Sequence, residues 1–118
     1  MGYGTQCSIG ILNKNGTVSV ISCKYDGYLG HAGRLLLTYY YKSTIVRELI
    51  NNGNLVSLDR TIGECNYLPY VAPVIKDSID FTLDSGIEIF YLFNQDTNNW
   101  KYKEVGSEYK ELTKEIVR

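Results

Sequence analysis

Twelve consecutive residues carry most of the chemistry the chain can offer. They run Lys24-Tyr25-Asp26-Gly27-Tyr28-Leu29-Gly30-His31-Ala32-Gly33-Arg34-Leu35. Three glycines at Gly27, Gly30 and Gly33 lack a Cβ, so a ligand can come close to their main-chain amides, and free N–H groups at a helix start attract anions. Arg34 in a first helical turn opposes the helix macrodipole by a few tenths to ~1 kcal/mol, a cost that a phosphate at that spot would offset. Lys24 adds a second cation. Tyr25 and Tyr28 are rings able to stack on a base, and Asp26 is a carboxylate able to accept from ribose hydroxyls or an exocyclic amine. The spacing is neither the dinucleotide fingerprint nor a P-loop, since no Lys-Ser/Thr pair follows. The same residues also make an ordinary tight turn, with Asp26-Gly27 as the turn dipeptide and the two tyrosines capping the core edge. His31 reads either way, as a solvated ring or a ligand group.

Other chemistries find less support. No GxSxG or catalytic-cysteine signature surrounds any hydroxyl or thiol. Asp26, Asp59, Asp77, Asp80 and Asp84 are carboxylates whose spacing identifies no acid/base pair, and they read as exposed turn residues. Cys7, Cys23 and Cys65 lack CxxC spacing, and His31 completes no zinc set, so no metal is expected. Cys7 and Cys23 can face each other across a hairpin, but the three read as small apolar thiols in a reducing cytoplasm. Arg60, in an irregular segment, is one more cation for an anion site. Phe93 and Trp100 are either core residues or further stacking rings.

These residues must be positioned by one small domain spanning 1–118. At 118 residues the chain buries roughly 65% of the surface its unfolded form exposes. Apolar residues at 44% and charged residues at 21% exclude disorder and collagen. Twelve basic against thirteen acidic residues leave no global attraction to duplex nucleic acid or anionic lipid, so an anion site must be local. No segment approaches membrane-span length, no basic n-region marks a signal peptide, and the myristoylation pattern opened by Met1-Gly2 fails at Gln6.

Thr5 to Leu12 and Thr17 to Lys24 flank Asn13-Lys14-Asn15-Gly16 and predict a hairpin. A helix is expected from about His31 to Tyr41. Ser43 then caps a second, with Ile45, Val46, Leu49 and Ile50 on one face and Gly53 as its stop. Asn54 to Pro73 is irregular. Strands at Ser78 to Leu83, Ile87 to Phe93 and Trp100 to Val105 predict a meander, and Ser107 with Tyr109, Leu112 and Ile116 a short C-terminal helix. The plan is α+β, an antiparallel sheet covered on one face by helices. Tyr39-Tyr40-Tyr41 cannot all face inward on one helix, so at least one ring is exposed or covered by a partner, which favours a homo-oligomer.

From Ser8-Ile9-Gly10-Ile11-Leu12-Asn13-Lys14-Asn15-Gly16-Thr17-Val18, through Cys23-Lys24-Tyr25-Asp26-Gly27-Tyr28 and Gly30-x-x-Gly33-Arg34-Leu35-Leu36, to Leu49-Ile50-Asn51-Asn52-Gly53-Asn54-Leu55 and Ser57-Leu58, the chain resembles a family of small phage proteins. It is similar to the first Thoeris anti-defence family, sponges that sequester cyclic ADP-ribose isomers made by bacterial TIR enzymes. The resemblance covers roughly the first half. It implies tight, non-catalytic binding of a cyclic nucleotide-derived messenger without a cofactor, a homo-oligomer, and action in the cytoplasm of an infected bacterial host. Some members of the family also hold cyclic oligonucleotides. Relatives carry His-Trp ahead of Asp-Gly-Tyr, proline after it and lysine after the last glycine, where this chain has Lys24-Tyr25, Leu29 and Arg34. Tyr for Trp keeps a stacking ring, and Arg for Lys keeps a phosphate cation. Two rival functions are a protein inhibitor that binds a host defence enzyme directly and an enzyme that degrades a cyclic nucleotide.

Overall fold

The structure, a computed structural model, describes residues 4–118, so the Met1-Gly2 reading lies outside the described residues. Strands β1 (Gln6–Leu12) and β2 (Val18–Cys23) form the expected antiparallel hairpin, with Leu12 opposite Val18 and Cys7 opposite Cys23. Within its turn only Gly16 takes a left-handed φ, at 88°, while Asn13 N–H bonds the Thr17 carbonyl at 2.8 Å. That is a three-residue loop ending in a left-handed glycine, in which a side chain at position 16 would be strained.

After β2 a π-helical turn (Leu29–Gly33) leads into the six-residue helix α1 (Arg34–Tyr39), so the helix expected from His31 to Tyr41 is shorter and starts with a wider turn. Helix α2 (Ser43–Asn51) presents Val46, Leu49 and Ile50 to the core. Ser43 is its first residue rather than its cap, and Lys42 in that place makes no capping bond. Gly53, at φ 89°, ends it as the sequence predicts.

Short strands β3 (Leu55–Ser57), β4 (Asn66–Tyr67) and β5 (Val74–Lys76) follow, then β6 (Ile87–Asn94), β7 (Asn99–Glu104) and β8 (Lys110–Glu111). The sheet order is β4-β3-β2-β1-β6-β7-β8, with β5 paired to β2. The fold is α+β, as expected, but the sheet is mixed. β6 lies parallel to β1, with Cys7 beside Ile89 and Leu12 beside Asn94, and β3 lies parallel to β2; the meander is confined to β6, β7 and β8.

Two further expectations are corrected. Ser78 to Leu83 is not a strand: its alternating Ile79, Phe81 and Leu83 pack onto Val18, Val20, Phe90 and Leu92, on the sheet face away from the helices, without joining the ladder. Alternation there reports a segment lying on a sheet rather than within one. Nor is the C-terminus a helix. Tyr109 caps that same second face, its ring 6.3 Å from Phe90 and its hydroxyl bonded to the Ile79 carbonyl, while Leu112 and Val117 dip into the main core beyond β8. The main core lies between the sheet and the helices, where Ile9, Ile11, Ile21, Tyr91 and Phe93 meet Leu36, Tyr40, Val46, Leu49 and Ile50. No helix among the described residues is long and apolar enough to cross a membrane.

Candidate functional site

The glycine turn is built for packing. A Cβ on Gly27 would lie 2.7 Å from Cys7 Cβ and 2.9 Å from the Cys7 backbone nitrogen, so no side chain fits between this loop and β1. Its N–H bonds the Thr5 carbonyl at 2.9 Å, and its carbonyl accepts the buried Tyr91 hydroxyl at 2.7 Å. Gly33 is buried, and a Cβ there would meet Val117 at 3.2 Å and Tyr91 at 3.4 Å. The amides are engaged too: His31 N–H and Gly33 N–H bond the Tyr28 carbonyl at 3.0 and 3.5 Å, and Arg34 N–H bonds the carbonyls of Leu29 and His31. The expected cradle of bare amides is therefore corrected; at Gly27, Gly33 and Arg34 the backbone already has its partners. Gly30 is half-buried, with the Tyr28 ring 3.5 Å and the Arg118 main-chain oxygen 3.8 Å from its Cβ position.

The other sequence candidates separate. Lys24 and Tyr25 stay with β3 through bonds from their N–H groups to the carbonyls of Leu55 and Val56, and the Lys24 ammonium lies 5.4 Å from the Tyr25 ring. Asp26 holds a left-handed backbone at φ 58°, uncommon for a residue with a side chain, and turns the chain down onto Cys7. Tyr28 lies 6.0 Å from His31 ring to ring, and it lines a groove together with Glu88 and Glu104, which does not suit an anion. Phe93 and Trp100 are core residues, packed edge-to-face at 5.1 Å, with Trp100 Nε1 donating to the Tyr40 carbonyl at 2.8 Å. They are closed to a ligand, because burying them is what joins β6 and β7 to the helices. Arg60 is exposed and paired with Glu64 at 3.2 Å, beside a different groove.

Arg34 has the company that its sequence neighbours could not show. It lines a 440 Å³ groove with Leu37, Thr38, Lys114, Val117 and Arg118, three cations with no carboxylate side chain among the lining residues. Spacing alone explains half of this, since Arg34 and Thr38 stand one turn apart on α1. The other half comes from the C-terminal turn, fixed by Val117 in the core and by Arg34 Nε donating to the Val117 carbonyl at 3.2 Å. Among the described residues none of the three cations makes an ion pair. Nothing in the sequence sets Lys114 and Arg118 apart from the other charges of the C-terminal segment.

Beneath the Asp26 loop, Cys7 and Cys23 are free, buried and opposite one another. Their shared hydrogen bond, with burial second, holds the Cys7 thiol well above its ordinary range, and Cys23 Sγ also donates to the Tyr25 carbonyl at 3.4 Å. No group of three or more His, Cys, Asp or Glu among the described residues is placed to hold a metal ion. No protein-family model, curated protein or solved structure matches the chain.

Proposed function

We propose that the protein binds a compact phosphorylated nucleotide, of the cyclic ADP-ribose class that the sequence resemblance implies, and sequesters it without cleavage. The observation that carries this reading is the Arg34, Lys114 and Arg118 groove. Three cationic side chains line one concavity, and none of them makes an ion pair among the described residues, an arrangement whose charge a diphosphate would neutralise. Arg34 offers its remaining guanidinium N–H groups as a planar fork, Lys114 a mobile ammonium, and the Thr38 hydroxyl a neutral donor at the groove wall.

A sponge needs slow release rather than turnover. Calorimetric titration with cyclic ADP-ribose isomers tests the binding, and heating the complex tests the fate of the ligand. Intact messenger in the supernatant supports sequestration; a cleaved product refutes it, and absence of binding refutes the reading altogether. A homo-oligomer belongs to the same proposal. Tyr70, Val71, Val74 and Ile75 are all exposed along one short stretch, and β5, which begins within it, pairs with β2 alone among the described residues. Light scattering coupled to size-exclusion chromatography measures the mass; a monomer at micromolar concentration would remove this part.

A further inference from the structure

A second concavity lies where α1 turns into α2. It has a volume of 480 Å³ and is lined by the consecutive Tyr39, Tyr40 and Tyr41, by Ile45 and Glu48 of α2, and by Arg60 to Gly63 of the loop that follows β3. It shares no lining residue with the cationic groove and stands without it.

Its construction is specific. Tyr40 is wholly buried, with its hydroxyl donating to the Asp59 carbonyl at 2.7 Å and its own carbonyl accepting from Trp100 Nε1, so its neighbours on either side are turned outward. Tyr39 and Tyr41 are consequently 42% and 55% exposed, two large rings beside a floor that includes Ile45 and Ile62. The facing loop is exposed yet firmly held. Asp59 N–H bonds Cys65 Sγ at 3.2 Å, that thiol bonds the Thr61 carbonyl at 3.3 Å, Thr61 Oγ1 bonds Glu64 at 3.0 Å, and the Tyr67 hydroxyl bonds the Ile62 carbonyl at 2.9 Å. A surface loop fixed at four points has already lost the freedom that binding would otherwise remove.

Polar groups at the rim narrow the ligand. Arg60 has Nε and one terminal nitrogen turned to Asp59 and Glu64, at 3.9 and 3.2 Å. What it can still offer is the flat face of the guanidinium and its remaining N–H groups, and a guanidinium face stacks on aromatic systems. Glu48 supplies a carboxylate with no ion-pair or hydrogen-bond partner among the described residues, an acceptor for a ring amino group or ribose hydroxyls. Exposed rings, an apolar floor, a cation face and a free acceptor match a planar heteroaromatic with polar edges, and they do not match a lipid tail or a bare phosphate.

We infer that the groove between Tyr39, Tyr41, Ile62 and Arg60 is a stacking site for a nucleobase, carried on a nucleoside. Adenosine is the probe, because it lacks phosphate and so does not report on the Arg34 groove. Saturation-transfer NMR and calorimetry on the full chain are expected to show saturable binding with the adenine protons in closest contact and no binding of ribose alone. Tyr39→Ala and Tyr41→Ala are each expected to weaken it about tenfold, the fold-change of one lost ring-on-base stack, while Tyr41→Phe and Arg34→Ala leave it unchanged. Both tyrosines are exposed, and Trp100 emission checks that each variant is folded. Absence of saturable adenosine binding at millimolar concentration overturns the assignment. So does binding that survives the Tyr39→Ala/Tyr41→Ala double variant, that ribose reproduces, or that Arg34→Ala abolishes.

Discussion

Replacing Tyr91 by Phe removes one atom from the bond that ties the Asp26-Gly27 loop to the centre of the sheet. The hydroxyl is buried and donates to the Gly27 carbonyl at 2.7 Å, and the ring keeps its place between Gly33 and the core. Phe has the same shape, so the cost is almost wholly that of a buried carbonyl left without a donor, about 1–3 kcal/mol. With a urea m-value of roughly 1.5–2 kcal/mol/M for a chain of this size, a loss of ~2 kcal/mol lowers the unfolding midpoint by about 1 M. Trp100, the single tryptophan and a buried one, reports the transition. Hydrogen exchange adds a local reading: the Gly27 N–H, now bonded to the Thr5 carbonyl, should lose protection before the amides of β1 do. An unchanged midpoint at constant m-value, or uniform loss of protection across β1 and β6, would refute the idea that this single bond anchors the loop.

Arg34→Ala should weaken binding of a cyclic ADP-ribose isomer by tenfold or more, from loss of a charge-assisted contact worth about 1.5–3 kcal/mol, and should flatten the fall of affinity with ionic strength; calorimetry between low and physiological salt checks both. Burial raises the hydroxyl pKa of Tyr40 and Tyr91, and raises Tyr109 to about 12, with the Asp80 carboxylate adding to the last. Because these folded-state values lie above the unfolded value near 10, the stability they confer is complete below about pH 10 and falls as pH rises above it, the Tyr109 share being lost as pH passes about 12 and the Tyr40 and Tyr91 shares at higher pH still. Ultraviolet titration of tyrosinate against circular dichroism should show their ionisation coinciding with alkaline unfolding. A thiol-reactive chromophore should find Cys7, Cys23 and Cys65 unreactive in the native protein and all three reactive in denaturant, since all are buried and free.

Local signals carried the hairpin, α2 and the β6–β7 pair, because each is written in neighbouring residues: a glycine-bearing turn, an apolar face ending at Gly53, and strands around an Asn-rich loop. The parallel β1–β6 joint was not legible, since no nearby residue records which distant strand will pair. Ile79, Phe81 and Leu83 misled for a related reason: alternation marks residues that face a sheet whether or not they belong to its ladder. For the site, Arg34 was recognisable as a cation without an obvious structural task, whereas its companions Lys114 and Arg118 arrive through a C-terminal turn that only Val117 in the core positions. Gly27 and Gly33 read as ligand-facing because a glycine needed for close packing and one needed for a ligand are identical in sequence.

The β1–β6 pairing also governs when the molecule can assemble. A strand beginning at residue 6 waits for one ending at residue 94, so a nascent chain leaving the ribosome holds its first hairpin with one flank open until most of the polypeptide has been made. Contacts of such sequence separation give high contact order and slow closure. A truncated message encoding only the first sixty residues would thus yield a product with an unzipped seam, prone to aggregation and to capture by chaperones.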